Sequence, residues 1–318
     1  MLLLRRLAAG FALLAALALP AAAQTSEDRE FQAALAEARA KGISGPARVA
    51  LGEIAAMELP RDYLFVPVDS AKRLMNAMGN SYRGSGNFGI VIPLHSYTGW
   101  FVAVAEHRIG YVTPDAVQSW KDRDILLEMR DATRRGNPER AKLGASRIDI
   151  ADFVEPPKYD AARHRLTVAA RVIEVGPSSG DEDSVNMEAH LFGRLGTIEL
   201  ALVAGVHSYP RYRVALDQLV AATNFIPGHR YADVAPATDT AAQQPLLLLF
   251  GGYTLEDLAK QAEAEKADKA RMMAARTSRG SELPLIPMVL GLIALGALAA
   301  AFLVFGRDKE DSYDDRDH

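Results

Sequence analysis

Asn186, Glu188 and His190 fall on one side of an alternating run whose other side is Val185, Met187, Ala189 and Leu191. Period-two alternation of this kind describes a strand with one apolar face. Gly193-Arg194-Leu195-Gly196 then turns the chain into a second run, Thr197 to Val203. A tight turn centred on Arg194 and Leu195 sets His190 directly across from Glu199, where Cβ atoms stand about 4.5–5.5 Å apart. Glu188, His190 and Glu199 so placed have the chemistry of an acid–base pair or of a divalent-metal site. The same residues on a solvated sheet face would be no more than a surface ion pair, because antiparallel sheets commonly keep one face polar. These three are the catalytic candidates; no cofactor is expected.

Other constellations are weaker. Asp181-Glu182-Asp183 lacks the glycine and ligand spacing of a calcium loop. The glycines from Gly84 to Gly89 precede a strand and lack a Walker lysine, so they read as a plain loop. Asp160 is placed to hold a turn through its own neighbouring amides. His95 and His107 flank the strand at Trp100 with no partner visible in the sequence. No G-x-S-x-G elbow is present, because Gly176 to Ser184, which holds the one such match, is a polar loop between two strands; no H-E-x-x-H pattern occurs, and without cysteine there is neither a thiolate nucleophile nor a disulfide. A net charge of -4 gives no basic stripe for nucleic acid.

The elements that must position these residues alternate irregularly. Gln24 to Lys41 reads as a helix ending at Gly42. Two or three short strands follow between Arg48 and Val68. Ala71, Leu74, Met75 and Met78 have helical spacing, with Asp69 or Ser70 as the cap and Gly79-Asn80 as the stop. Trp100 to Val104 and Ile109 to Val112 read as a strand pair. A helix from Thr113-Pro114 buries Ile125, Leu126, Met129 and Ala132 and ends near Gly136-Asn137-Pro138. Strands Ile148 to Phe153 and Leu166 to Ile173 are joined through Glu155-Pro156-Pro157-Lys158-Tyr159-Asp160, and Tyr212, Ala215, Leu216 and Leu219 mark a further helix. Sequence-adjacent strands with interspersed helices predict an α+β fold, largely an antiparallel β-sheet with amphipathic helices.

Two apolar segments bracket all of this. Leu7 to Leu19 follows Arg5 and Arg6 and closes on Pro20 and three alanines, the order of a secretory leader. The run opening at Leu285 and closing at Phe305 carries no charge, and its 21 residues suffice to span a bilayer as one C-terminal transmembrane helix. Lys266, Lys269, Arg271, Arg276 and Arg279 precede it, which by the positive-inside rule alone would put the domain in the cytoplasm. The leader takes priority, because the domain is committed to export before the anchor emerges.

Several phrases in order carry a resemblance: Gly45-Pro46, Leu59-Pro60, Tyr63-Leu64-Phe65, Gly99-Trp100-Phe101-Val102, Glu155 to Asp160 with His164-Arg165-Leu166, Ser184-Val185-Asn186, and Gly228-His229-Arg230-Tyr231-Ala232-Asp233. From about Gly45 to Asp239 the chain resembles a bacterial family of uncharacterised membrane-anchored proteins, catalogued as a domain of unknown function (family 2167). The resemblance implies an exported, anchored domain and brings no catalytic residues with it. Thr240 stands where that pattern has lysine. Trp100, Tyr159, Asp160, His164, Asn186, Arg230, Tyr231 and Asp233 are read as structural motif residues, with Arg230, Tyr231 and Asp233 locking the domain's C-terminal edge.

The expected organisation is a leader at 1–23, a helical lead-in at 24–44, an exported α+β domain at 45–240, a linker and charged helical stalk at 241–282, a transmembrane helix at 283–306 and an acidic cytoplasmic tail at 307–318. The expected function is a non-enzymatic envelope binding module on the periplasmic side of the cytoplasmic membrane. Its partners would be that membrane, through Leu285 to Phe305, and another envelope protein or component. A homodimer through Gly296 and Ala300 in the anchor is a further possibility. The alternative is a metal-assisted or acid–base hydrolase, or a small-ligand sensor, using the polar face around His190.

Overall fold

A computed structural model describes residues 26–80, 86–95, 99–176 and 183–278. Both apolar segments lie outside these residues; among those described, no helix is long and apolar enough to cross a membrane. The chain divides into two compact units, Met1–Asp257 and Leu258–His318.

The first unit is α+β. Helix α1 (Ser26–Lys41) leads into β1 (Ile43–Ser44), β2 (Ala47–Leu51), β3 (Ala55–Leu59) and β4 (Tyr63–Pro67). Next come α2 (Val68–Ala77), β5 (Asn87–Pro93), β6 (Phe101–His107), α3 (Pro114–Ser119) and α4 (Asp122–Lys142). The remainder is β7 (Arg147–Asp160), β8 (Arg165–Val175), β9 (Ser184–Phe192), β10 (Thr197–Gly205), α5 (Tyr209–Ala222), β11 (Thr223–Phe225) and the short α6 (Pro245–Leu249). Eight strands form one antiparallel sheet in the order β1-β4-β5-β6-β10-β9-β8-β7, and β11-β3-β2 form a second. The expected antiparallel α+β arrangement is what the chain adopts.

The two faces of the large sheet are covered differently. On one, Val102, Val104, Met187, Ala189, Ile198, Leu200 and Leu202 join α5 and the three-stranded sheet in a single apolar core. Trp100 lies in it, stacked on Tyr212 at 5.3 Å and edge-on to Tyr63 at 6.0 Å. On the other face, Leu64, Val66, Ile90, Ile92 and Phe101 pack beneath α1 and α2. Leu74 and Met75 of α2 are buried there, each such side chain contributing about 1.5–3 kcal/mol of burial.

Several elements depart from their sequence reading, for physical reasons. Helix α2 starts at Val68, ahead of the expected cap, and Ser70 instead turns its hydroxyl inward toward Glu37 of α1 at 3.4 Å. Ile109 to Val112 is not a strand; β6 pairs with β5 and β10 instead. Helix α4 runs through Gly136-Asn137-Pro138 to Lys142. An internal proline removes a helix hydrogen bond, but Asn137 clamps this turn to β7 by accepting from Ile148 N and donating to Ile148 O, both at 2.9 Å. Glu155 to Asp160, expected as a connection, continues β7 to the edge of the sheet with bulges on either side of Glu155. Prolines are tolerated there because an edge strand has no second neighbour to pair with. Asn137 and Arg130, which also donates to Ile150 O at 2.9 Å, cover outward backbone groups that would otherwise invite edge pairing.

After α6, Phe250 to Tyr253 form a strap that leads into helix α7 (Leu255–Ser278). Thr254 caps this helix, its Oγ1 accepting from Asp257 N at 3.1 Å. Helix α7 carries the described part of the second unit.

Candidate functional site

The β9–β10 hairpin closes through Gly193 N donating to Gly196 O at 2.8 Å, and its register pairs His190 with Glu199 as the spacing predicts. The turn also receives β6. A Cβ at residue 196 would lie 1.9 Å from the His107 carbonyl oxygen, so only glycine lets the end of β6 approach this closely. His107 then pairs with Thr197 and stands diagonally across from Glu199 on the same face.

Four ionisable side chains meet there. His107 Nε2 lies 2.5 Å from Glu199 Oε2, and His190 Nε2 lies 3.3 Å from Glu188 Oε2. The two imidazole rings are 6.3 Å apart. Glu188, His190 and Glu199 are thus brought onto one face, but Glu199 bonds to His107 rather than to His190. The face is not solvated. His190 is 0% exposed beneath the edge of the Phe250 ring at 5.1 Å, and Trp120 packs edge-on to Phe250 at 6.2 Å. This corrects the expectation of a polar surface: chain from outside the hairpin, 120 and 248–250, comes back to cover it.

Burial governs the electrostatics. It pushes the Glu188 carboxyl above its ordinary pKa, and the hydrogen bond to His190 does not fully reverse this. Burial acts the same way on Glu199, but the His107 hydrogen bond and charge outweigh it and hold that carboxyl below its usual range. Burial lowers the His107 imidazole, yet Glu199, Glu188 and Glu106 together leave it raised. These shifts favour the imidazolium–carboxylate form of His107–Glu199 and oppose ionisation of Glu188 beside it. His190 Nδ1 and Thr197 Oγ1 are buried with no partner among the described residues.

Only part of this cluster reaches solvent. The His107 side chain is 27% exposed and lines a recess of about 550 Å³ bounded by Gly86, Arg108, Leu248 and Tyr253. A second recess of about 300 Å³, bounded by Ile54, Leu195, Phe225 and His229, shares Glu106 and Arg108 with the first. Arg108 Nε is held at 2.7 Å from Glu106 Oε1, and the Arg108 side chain is 72% exposed. A ligand entering the larger recess meets the His107 imidazole before any other member of the cluster. Among the described residues no three His, Asp or Glu side chains are grouped to hold a metal ion, because each carboxylate here faces an imidazole singly.

The remaining motif residues build the adjoining corner. Asp160 Oδ1 accepts from Ala162 N and Arg163 N at 3.1 and 3.2 Å, closing the β7–β8 turn. His164 completes that turn with φ +48° and stacks on Tyr231 at 3.8 Å. Tyr159 lies 6.0 Å from Phe192. Tyr231 donates to Val112 O at 2.8 Å, and Asp233 Oδ2 accepts from Gly228 N and Arg230 N at 2.8 and 3.0 Å. Arg230 is exposed and takes part through its main chain, bridging to Gly193. Arg194 grips Asp239 with two bonds of 2.7 and 2.9 Å, tying segment 228–239 to the hairpin turn. Asn186 lines a recess of about 250 Å³ with Asn80 and Arg140, away from the cluster.

His107, Arg108, Trp120 and Phe250 are the residues of this region that sequence reasoning did not join to it. The alternation of β6 puts His107 on the face of Ala103 and Ala105, which was a readable signal; its pairing with β10 was not.

The fold and cluster belong to a protein whose family is defined without an assigned activity. Residues 43–265 match the family described as Protein of unknown function (DUF2167), and the chain belongs to it. No curated protein matches. Among solved structures, the chain is similar to cyanobacterial PsbP (CyanoP) from Synechocystis sp. PCC 6803, at 11% identity and a TM-score of 0.37, covering 57% of this chain and 92% of that one. It is also similar to the Ran-binding protein Mog1p of Saccharomyces cerevisiae, at 10% identity and a TM-score of 0.31, covering 59% and 98%. Similarities at this level carry no argument about function.

Proposed function

We infer that this chain is an exported protein, tethered to the cytoplasmic membrane by its C-terminal apolar segment, whose domain binds another envelope protein. The observation that carries the reading is the pair of recesses on either side of Arg108. They combine an exposed guanidinium with Leu195, Ile54, Phe225 and Leu248, the mixture of one charged anchor and apolar walls that suits protein recognition. The acid–base groups, by contrast, are spent on one another, and His190 has no exposed surface with which to meet a substrate.

The test is crosslinking in intact cells with purification through a tag after His318. A reproducible partner that is lost in Arg108→Glu, while the variant keeps its thermal midpoint, supports the reading. An unchanged set of partners in that variant counts against Arg108 as the contact. A reporter fused after His318 that is active only outside the cytoplasm overturns the orientation.

A second reading has one observation in its favour. His107 faces the larger recess with Glu199 hydrogen-bonded behind it, the arrangement of an acid–base dyad. If His107→Gln abolishes cellular function while crosslinking through Arg108 persists, catalysis gains over recognition.

A further inference from the structure

Helix α7 separates its charges along its length. Residues 255–265 carry four acids, Glu256, Asp257, Glu263 and Glu265, against Lys260, whereas 266–273 carry Lys266, Lys269 and Arg271 against Asp268. A cation near a helix C-terminus is favoured by the helix dipole, but that effect fades beyond the last turn. Lys266, Lys269 and Arg271 all lie further from Ser278 than that, so the dipole does not account for them.

At about 100° per residue, Lys266, Lys269, Met272 and Met273 fall within roughly one third of the helix circumference. Met272 is 62% and Met273 70% exposed. Glu265 shares the arc and lies 3.8 Å from Lys269, with both side chains about three-quarters exposed, a pair too solvated to compete strongly with another partner. A surface that exposes adjacent thioethers beside two lysines matches an interface that is anionic at its rim and apolar just beneath. Eleven residues separate Met273 from Leu285, at most about 40 Å of fully extended chain, so a tethered α7 stays within reach of the bilayer.

We propose that this face of α7 docks on an anionic lipid surface, Lys266 and Lys269 meeting the headgroups and Met272 and Met273 entering the acyl boundary. The inference rests on the tethered reading for its geometry. It differs from that reading in requiring lipid charge, which an anchor alone does not need.

The chain contains no cysteine, so Met272→Cys gives a unique labelling site in the full-length protein. The labelled protein, carrying an environment-sensitive dye, is reconstituted with vesicles of phosphatidylcholine alone or with about one fifth phosphatidylglycerol, and both flotation and emission are read. The expected result is flotation with both, and a blue shift only with phosphatidylglycerol. That shift should reverse at about 0.5 M salt and weaken about fivefold for each charge removed in Lys266→Gln and Lys269→Gln. Flotation with both and identical solvent-like emission overturns the inference and leaves the tether standing. Flotation only with anionic vesicles, released by salt, supports the inference and overturns the tether. Failure to float with either overturns both. A shift that follows protein density rather than lipid charge overturns the inference in favour of a second copy of the chain.

Discussion

The two faces of the eight-stranded sheet are built by the same strands and buried by opposite means. Beneath α5, Trp100, Met187, Leu200 and Leu202 form a continuous apolar layer in which each side chain satisfies itself by packing. On the reverse of β6, β9 and β10, burial closes over His107, Glu188, His190 and Glu199, and the strap at Phe250 covers groups that retain a strong attraction to water. An apolar face gains from every contact. A polar face gains only if each group keeps a partner, and here His190 Nδ1 and Thr197 Oγ1 have none among the described residues. The polar face is therefore the less stable half of the core and the half whose stability follows pH.

Replacing one aromatic on each face gives the largest effects and the clearest contrast. Trp100→Ala should cost about 3–5 kcal/mol in urea unfolding followed by circular dichroism, because the gap it leaves is walled by apolar groups and stays dry. Phe250→Ala should cost less, about 2–3 kcal/mol, since water entering there can satisfy His190 Nδ1. Equal losses would mean that the two faces respond to a cavity alike.

Next in size is the ion pair itself. Glu199→Ala should lose about 1–3 kcal/mol, and the double variant His107→Ala/Glu199→Ala should lose less than the sum of the two single changes, the pair being coupled. Strict additivity would remove the His107–Glu199 bond from the account of stability.

The pH dependence sharpens the comparison further. His107 is raised in the folded protein, so its contribution is complete below about pH 6.5, its unfolded value, and is lost as pH rises through the raised value. Glu199 is lowered, so its contribution is complete above its unfolded value and is lost as pH falls through the lowered one. Glu188 is raised, so its ionisation weakens the fold as pH rises through that raised value. Glu188→Gln should therefore flatten the loss of stability on that limb, and Glu199→Gln should reduce the loss on the alkaline side of His107, Glu188 and Glu106 still acting on it. Thermal midpoints across pH for the three proteins decide both points.

The smallest effect is expected on the exposed side of the three-stranded sheet. Arg48 and Glu58 form an exposed cross-strand pair between β2 and β3, and Arg48→Ala should change stability by less than about 0.5 kcal/mol.

The β9–β10 hairpin was legible because everything that specifies it is local. Alternation assigns the faces, and the Gly193–Gly196 turn sets the register that brings His190 opposite Glu199. The Asp160 turn was legible for the same reason, since an aspartate bonding to its own next amides needs no distant partner. The extension of β7 through Pro156 and Pro157 was not, because whether proline ends a strand depends on its being at the edge. The length of α4 was not, because Asn137 finds its partners in β7.

Local pattern by itself determined that this chain makes antiparallel hairpins with helices among them, and which side chains share a face within each strand. Period and turn chemistry act over a few residues and are written in order along the chain. Only the tertiary structure decided that β6 lies against β10, that His107 rather than His190 takes Glu199, and that Phe250 packs over His190. Those outcomes depend on pairings across some ninety residues and on which element returns to cover a face, where the free energy belongs to the assembled core and not to any one segment.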